Sequence, residues 1–278
     1  MTDGKILELK NISYSYSGEK NVLNSVSVGI KKKERIAVLG TNGSGKSTLF
    51  LCCNGVLHPN SGDIFLHGKK VERKKNQMIN LRKAVGIVFQ DPNQQFIGTT
   101  VFDDISFGLL NMGLDADTVR KKTDNIIKDM GLDKLRDRPP QYLSGGEKKR
   151  LSIADVVVME PEIILFDEPT AFLDGYNIEL FKEILDKLYS QDKTLVISTH
   201  DIDFALDWAD RVIILKDGEI ISDGYAVDIL TDKLILDTAA LKPPFLYSIM
   251  NVLNSQGIIN DIPHHPRNIS ELEFILRK

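Results

Sequence analysis

The sequence is poor in cysteine, with only Cys52 and Cys53 in 278 residues. Two adjacent cysteines offer neither a disulfide framework nor the spaced ligand pairs of a structural zinc site. A chain without disulfides suits a reducing cytoplasm. Both cysteines lie in an apolar segment, and we expect them to be buried helix residues without a chemical role.

Long apolar runs are also missing. No stretch approaches the roughly 18 to 20 uncharged apolar residues of a membrane-spanning helix, and the first residues, MTDGKILELK, lack an apolar signal region. Hydrophobic residues nevertheless make up 42% of the chain, which is enough for a core in one large domain or two modest ones. We therefore expect the chain itself to be soluble and folded.

A strong charge of one sign is absent as well. The chain carries 35 basic and 39 acidic residues, for a formal net charge of -4. Nucleic acid binding normally depends on a broad basic surface. We therefore expect no nucleic acid partner.

Compact apolar runs that end in polar residues predict an α/β core. ILEL and VSVGI alternate like strands of an antiparallel sheet, whereas RIAVLG, VGIVFQ, IILFDE and TLVISTH are typical of buried parallel strands. RVIILKDGEIISDG predicts a hairpin that turns at Asp217 and Gly218. We assign the core to residues 1–90 and 158–225.

Residues 91–157 have helical patterns and no convincing strand, so they predict an α-helical subdomain inserted into the core. DADTVRKKTDNIIKDMGL, for example, begins with an Asp cap and ends at a glycine. Residues 226–278 mix short helical patterns with LKPPF and IPHHPR. We interpret them as a small C-terminal extension.

The segment GTNGSGKS, from Gly40 to Ser47, matches the phosphate-binding pattern G-x-x-x-x-G-K-[ST]. Glycines let backbone N–H groups approach phosphate oxygens. Lys46 is then expected on the β and γ phosphates and Ser47 on Mg²⁺. An apolar strand precedes the segment and a helix follows it, which is the context this mechanism requires.

Three later strand ends carry polar groups suited to phosphate chemistry. In IILFDE, Asp167 is placed to hold Mg²⁺ and Glu168 to polarise an attacking water. The alternative for this pair is a helix cap. His200 in STHD and Gln90 in VGIVFQ should emerge at the same sheet edge, although either could be an ordinary polar residue at a strand end.

A second anion-binding pattern occurs in LSGGEKKR, from Leu143 to Arg150, where a serine and two glycines precede a helix. By itself the segment is compatible with an ordinary loop. Its position after the phosphate loop indicates a function.

Together these motifs resemble, in order and over roughly residues 5 to 225, the nucleotide-binding subunits of ATP-binding cassette (ABC) transporters. The resemblance implies a P-loop NTPase core with an N-terminal antiparallel β subdomain, and a cassette domain over residues 1–225. It also implies that ATP on one subunit is covered by the LSGG segment of a second subunit, identical or paralogous.

Carried over position by position, the resemblance implies roles for individual residues. Lys46, Gln90, Glu168 and His200 would act in hydrolysis, with Glu168 as the general base. Ser47, Gln90 and Asp167 would hold Mg²⁺. Contacts to ATP are expected from Tyr16 (with Tyr14 as the less favoured choice), Gly40, Thr41, Asn42, Gly43, Ser44, Gly45, Lys46, Ser47, Thr48, Ser144, Gly145, Gly146 and Asp174.

Within this family the sequence is similar to ATPase subunits of energy-coupling factor importers, including those for cobalt. VGIVFQDPNQQFIGTTVFDDISFGLLNMGL and LKPPFLYSIMNVLNSQG carry this likeness. It implies a peripheral ATPase on the cytoplasmic face of the cell membrane, bound to an integral transmembrane component and a substrate-binding component. The extension 226–278 would then be a dimerisation element. Phe172 and Gly175 depart from the family pattern and concern the subunit contact.

Two acidic and two histidine residues have competing interpretations. Asp103 and Asp104 could form a solvated face or a helix start just after Thr99 and Thr100, or they could meet arginines of the membrane partner. His264 and His265 suggest metal binding, but two adjacent histidines lack the further ligands of a metal site. We expect them in a solvent-exposed turn.

Three other functions use the same motifs. DNA-repair and chromosome ATPases place a long coiled coil between the phosphate loop and LSGG, where this chain has a compact interval. Translation factors with paired cassettes have a second phosphate loop, which this sequence lacks. A protein that binds nucleotide without hydrolysis could dispense with Glu168.

Overall fold

The computed structural model describes residues 4–18, 20–171, 173–258 and 265–276. Its strands are β1 (Lys5–Tyr14), β2 (Leu23–Lys31), β3 (Arg35–Leu39), β4 (Ser61–Leu66), β5 (Lys69–Lys70), β6 (Val85–Val88), β7 (Ile163–Asp167), β8 (Thr194–Thr199), β9 (Arg211–Lys216) and β10 (Glu219–Tyr225). Its helices are α1 (Lys46–Asn54), α2 (Lys75–Ala84), α3 (Val101–Asn111), α4 (Ala116–Asp129), α5 (Gly145–Val157), α6 (Gly175–Ser190), α7 (Ile202–Trp208), α8 (Ala226–Thr231), α9 (Lys233–Ala239), α10 (Phe245–Ser255) and α11 (Ile269–Leu276).

Two sheets organise the core. The first is antiparallel with strand order β2-β1-β4-β5, and its inward residues alternate with exposed ones. The second has the order β10-β9-β3-β8-β7-β6, in which β9, β3, β8, β7 and β6 run parallel and β10 is antiparallel. The fold is therefore α/β with the predicted P-loop NTPase core and antiparallel β sheet.

The parallel arrangement brings four loops to one edge. Strands β3, β8, β7 and β6 are consecutive neighbours, and in a parallel sheet their carboxyl ends meet at the same edge. The phosphate loop follows β3, Gln90 follows β6, Glu168 follows β7 and His200 follows β8. Strand β7 is fully buried, which excludes water from the base of this edge.

Residues 91–157 contain α3, α4, α5 and short 3-10 turns, and the structure assigns none of them to a strand. Asp115 caps α4 and accepts a hydrogen bond from the Thr118 N–H, as its sequence pattern predicts. Gly131, two residues beyond the end of α4, has φ 63°. The boundaries of the subdomain remain predictions.

Most predicted elements are confirmed, but several bounds differ. Strand β6 ends at Val88, so Gln90 lies in the following loop and not in the strand. The hairpin turns at Asp217 and Gly218, with φ 48° and 81°, as expected. Strand β4 and helix α2 were not recognised, because SGDIFL and KNQMINLRKA are too polar to show a clear period.

The cysteines are buried in α1, and burial raises the pKa of the Cys52 thiol to about 12. Both thiols are therefore inert at neutral pH.

The C-terminal extension packs its first helices on the core. Helices α8 and α9 bury Ile229, Leu230 and Leu236. Arg267, just before α11, donates hydrogen bonds to the backbone carbonyls of Leu206 and Ala209 near the end of α7. Across the described ranges, no helix is long and apolar enough to cross a membrane.

Candidate functional site

The loop between β3 and α1 requires glycine. Gly45 precedes α1 with φ 107°, and a Cβ there would lie 2.9 Å from the Val22 carbonyl oxygen. No side chain caps the start of α1. Its first N–H groups therefore remain available to an anion, and the helix dipole favours negative charge at this position.

Lys46 begins α1 and is buried between the loop and the neighbouring strand ends. Its Nζ donates hydrogen bonds to the carbonyl oxygens of Gly40 at 2.8 Å and Thr41 at 3.4 Å. The same atom lies 3.3 Å from Oε1 of Glu168. The ammonium group is thus held by fixed partners at the level of the loop.

Glu168 is fixed by its backbone as well as by its side chain. Its φ of 41° is unusual for a residue other than glycine, and such conformations cost about 1–3 kcal/mol and cluster at functional sites. Its N–H donates to Ser198 Oγ at 3.0 Å, and Ser198 Oγ donates to Asp167 Oδ1 at 2.5 Å. His200 Nδ1 lies 2.8 Å from Glu168 Oε2. Ser198 thereby holds both carboxylate residues in place.

These groups surround one cavity of about 400 Å³. It is lined by residues of the phosphate loop and of the neighbouring loops, namely Val22, Asn42, Gly43, Gly45, Lys46, Ser47, Thr48, Gln90, Glu168 and His200. The cavity combines a cation, a carboxylate, an amide and helix N–H groups, a set that suits a polyphosphate and an attacking water.

Tyr16 lies at the rim of this site. Its side chain is 63% exposed, and its hydroxyl is 3.2 Å from Thr48 Oγ1. Tyr14 packs edge to face against it, with ring centroids 5.0 Å apart, and supports its position. An exposed aromatic ring beside a phosphate loop is available for stacking on a base.

The residues expected to hold Mg²⁺ are Ser47, Gln90 and Asp167. A hydroxyl, an amide and a carboxylate are oxygen donors, and Mg²⁺ prefers such ligands. Within the described part of the chain, no three His, Cys, Asp or Glu side chains form a metal cluster. This sparse set fits a Mg²⁺ ion that is held partly by water and substrate phosphates.

The backbone at Gln90 is anchored by a lysine from α5. Lys149 is 3% exposed, and its Nζ donates to the carbonyl oxygens of Phe89 at 3.3 Å and Gln90 at 3.2 Å. Burial lowers the pKa of Lys149 to about 8, although Asp167 and Asp91 oppose this shift.

Further along the same loop, two buried carboxyl groups face each other. Asp104 Oδ1 accepts hydrogen bonds from the N–H groups of Ile97 and Gly98, at 2.7 and 2.6 Å. Asp104 Oδ2 and Asp155 Oδ1 are buried and have no other hydrogen-bond partner among the residues that the structure describes. Burial raises the pKa of Asp104 and, strongly, that of Asp155, so the pair retains a proton. Gln95 Nε2 donates to Asp155 Oδ2 at 3.2 Å. We assign the retained proton to Asp155, because Asp104 already accepts two backbone N–H groups.

This pairing corrects one expectation. Asp103 does lie in the exposed first turn of α3, where Thr99 hydrogen-bonds it. Asp104 lies in the same first turn, which confirms the predicted helix start, but its side chain is buried and so faces neither solvent nor arginines of a membrane partner. The mistake arose because adjacent residues of a helix point in different directions, about 100° apart.

The LSGG residues lie elsewhere. Ser144 caps α5: its Oγ accepts from the Glu147 N–H, and Glu147 Oε2 accepts from the Ser144 N–H at 2.7 Å. A Cβ on Gly146 would lie 2.1 Å from Asn177 Oδ1, and Asp174 Oδ1 accepts hydrogen bonds from Asn177. Gly146 and Asp174 thus meet through Asn177.

The structure separates the predicted residues into two sets. The loop residues Gly40–Thr48, Gln90, Glu168 and His200 gather at the cavity, with Tyr16 at its rim and Asp167 behind Ser198. Ser144, Gly145, Gly146 and Asp174 form the second set and lie at the starts of α5 and α6.

Sequence reasoning missed Ser198, Lys149 and Asn177. A small polar residue near the end of the apolar strand VIST could have indicated Ser198. Lys149, in the highly charged segment GEKKR, carried no sign that it is buried.

His265 is half-buried and packs edge to face on Tyr247, with centroids 5.1 Å apart, so the predicted exposed turn is wrong for this residue. His264 and Phe172 lie outside the described residues.

Known proteins are similar to this chain in sequence and in fold. The family model for ABC transporters matches residues 23–171. The energy-coupling factor transporter ATP-binding protein EcfA2 of Methanospirillum hungatei is 40% identical over 91% of this chain, an alignment that spans 64% of that protein's length.

Solved structures extend the comparison. The structure of cbiO1 from Clostridium perfringens, part of the ABC transporter complex cbiONQ, is 38% identical, with a TM-score of 0.76 over 90% of this chain and 100% of that one. The ATP-binding cassette MJ0796, a dimer in a post-hydrolysis state with ADP and Pi, is 30% identical, with a TM-score of 0.71 over 79% and 98%. The cavity, the motifs and these matches lead to one conclusion: the chain belongs to the ABC transporter family and is its ATPase component.

Proposed function

We propose that the protein hydrolyses ATP at a site completed by a second cassette and that hydrolysis drives a membrane importer of the energy-coupling factor type. The observation that carries this proposal is the separation of the predicted residues. One chain holds a cavity with Lys46, Glu168 and His200, whereas its Ser144 and Gly146 lie at the start of another helix. Each site then needs the LSGG segment of a partner.

Within one site, the loop N–H groups and Lys46 bind the β and γ phosphates of ATP. Tyr16 stacks on the adenine. Ser47, Gln90 and Asp167 would hold Mg²⁺, which supplies positive charge against the phosphate oxygens. These interactions hold the γ phosphate in line with a water at Glu168.

Glu168 then acts as the general base. Its Oε2 contacts His200 and its Oε1 contacts Lys46, so the carboxylate is oriented by cations or donors on both sides. It withdraws a proton from the attacking water as the water bonds to the γ phosphorus and the bond from that phosphorus to the β–γ bridging oxygen breaks, which releases ADP and inorganic phosphate. His200 steadies the γ phosphate from the same edge, and Gln90 orients the water and the metal ion.

Ser144 has the chemistry to contact the partner's ATP. Its oxygen accepts from the Glu147 N–H, while its own hydroxyl hydrogen remains free to bond a phosphate oxygen. Gly145 is exposed beside it, and a Cβ there would meet nothing within 4 Å. Asp174 links the two sites through Asn177 and Gly146. The dimeric cassette to which the chain is similar supports this pairing.

The importer assignment is supported by the names of the similar proteins, an energy-coupling factor ATP-binding protein and a member of the cbiONQ complex. The chain would sit at the cytoplasmic face of the membrane, with a transmembrane component and a substrate-binding component. Ile97, Phe107 and Leu110 expose apolar surface around the loop that follows Gln90, and this surface suits such a partner. The solute would be cobalt, another metal ion or a vitamin.

The test uses Glu168→Gln. The amide keeps the size of the side chain but cannot accept the proton, so ATP should remain bound and the two cassettes should stay closed over it. We expect a stable dimer with Mg-ATP in size-exclusion chromatography and no measurable phosphate release.

Two matched samples complete the experiment. Glu168→Gln with ADP should elute as it does without nucleotide, and ATP should not change the elution of the double variant Lys46→Ala, Glu168→Gln. A Glu168→Gln protein that stays monomeric at saturating ATP would refute the shared site.

A further inference from the structure

Lys149 is an unusual residue for its surroundings. It lies in α5 with 3% of its surface exposed, and its ammonium contacts two main-chain carbonyl oxygens. Among the described residues, none of the ion pairs includes Lys149. Burying an ammonium group without a salt-bridge partner lowers the free energy of unfolding. Stability therefore does not explain a lysine at this position, which suggests a functional role.

The two carbonyls that Lys149 contacts belong to Phe89 and Gln90. They immediately follow β6, which ends at Val88, so the lysine acts where the chain leaves the sheet. Because Lys149 holds the carbonyls of both Phe89 and Gln90, it fixes the peptide groups on either side of Gln90. It therefore sets the direction in which the Gln90 side chain leaves the backbone. That side chain lines the cavity.

The remainder of the loop is held by the same helix. Lys148 Nζ donates to Asn93 Oδ1 at 3.0 Å, and Gln95 Nε2 donates to the Ser152 carbonyl at 2.6 Å. Three residues of α5, Lys148, Lys149 and Ser152, thus contact the segment from Phe89 to Gln95. The first turn of this helix carries Ser144 and Gly146.

We propose that Lys149 is a positioning residue for ATP hydrolysis. It holds the backbone of Gln90 and therefore sets the position of the Gln90 side chain in its own site. Because α5 also contacts the partner's nucleotide, Lys149 couples that contact to the position of Gln90. This inference rests on the proposed role of Gln90. Lys149 itself does not touch the substrate; it acts through the Phe89 and Gln90 carbonyls.

The experiment replaces Lys149 with methionine, which keeps the length of the side chain and removes all donors. We expect kcat for ATP hydrolysis to fall about tenfold while the KM for Mg-ATP changes less than about twofold, since the phosphate loop and Lys46 supply the contacts to the phosphates. The Tm should be unchanged or higher, because a buried charge has been removed.

The lower kcat at undiminished Tm separates positioning from a structural role, which would lower both. Lys148→Met, which loses an exposed contact to Asn93, is the matched control and should keep kcat. Lys149→Arg can still donate to both carbonyls and should recover most of the lost rate.

A double-mutant cycle with Gln90→Ala assigns the path. If Lys149 acts through Gln90, the double variant should be no slower than Gln90→Ala alone. A slow Gln90→Ala combined with a normal Lys149→Met would overturn the inference and leave the role of Gln90 intact. A normal Gln90→Ala would instead overturn that role, and additive losses would show that Lys149 acts elsewhere.

Discussion

At the residue scale, the site depends on groups whose partners are distant in sequence. Lys46 meets Glu168, and Glu168 meets both Ser198 and His200. The sequence could nominate Lys46, Glu168 and His200, because each ends a recognisable pattern. It could not nominate Ser198 or Lys149, whose roles depend on which strand or loop packs beside them.

The pair Asp104–Asp155 leads to a prediction about pH. Burial raises the folded-state pKa of Asp155 above its unfolded value, so the folded protein retains a proton that the unfolded chain releases. The free energy of unfolding therefore declines as pH rises above about 4, until the folded-state pKa is passed. Asp155→Asn cannot ionise, and its amide can still donate to Asp104 and accept from Gln95.

We expect Asp155→Asn to be at least as stable as wild type at pH 8, with an advantage that is smaller at pH 5. Urea denaturation at both pH values measures this. The mirror variant Asp104→Asn should be destabilised, because it places a donor against the Asp155 hydroxyl. A stability loss for Asp155→Asn that is largest at pH 8 would contradict the assignment of the proton.

At the element scale, the strands were largely predictable and the helix contacts were not. Strands β3, β7 and β8 are buried on both faces and read as continuous apolar runs. Helix α5 mixes charged and apolar residues, and the sequence alone cannot tell which of its lysines is buried. The partly exposed strand β4 was missed for a similar reason.

The contact between the starts of α5 and α6 leads to a prediction about stability. Replacing Gly146 with alanine would force Asn177 to move and break its hydrogen bonds to Asp174, at a cost of about 1 kcal/mol. Gly145→Ala meets nothing within 4 Å and gains helix propensity.

Thermal unfolding should therefore rank Gly145→Ala above wild type and Gly146→Ala below it. Adding Asn177→Ala to Gly146→Ala relieves the clash and should recover part of the loss. Equal Tm values for the two glycine variants would show that Asn177 does not restrict this position.

At the scale of the whole molecule, the proposed shared site makes this chain one of two cassettes that hydrolyse ATP together. The cassette order could be predicted from the sequence, because the phosphate loop, Gln90, Glu168 and His200 each follow a strand of the parallel sheet and LSGG precedes a helix. The form of the C-terminal extension was not legible, since its short helices depend on contacts such as that of Arg267 with the end of α7. Its proposed role in dimerisation is open to direct test.

Phe245 and Val252 lie two turns apart on α10 and are 69% and 60% exposed. If this surface joins two extensions, Phe245→Asp with Val252→Asp should remove any dimer that forms without nucleotide, because the charges would be buried without partners. Leu234→Asp on α9, which is 76% exposed, is the control and should leave that dimer intact. Light scattering over a range of protein concentrations distinguishes the double variant from the control. A dimer that persists in the double variant would show that this surface of α10 does not join two extensions.

The length of α5 has a further consequence. It contains 13 residues, and the five steps from the cap Ser144 to Lys149 advance about 7.5 Å along a helix that rises 1.5 Å per residue. Over so short a distance a helix moves as a rigid body. A tilt of α5 that brings Ser144 to the ATP of the second cassette therefore also displaces the Gln90 backbone. Hydrolysis at the two sites of the dimer should for this reason be coupled.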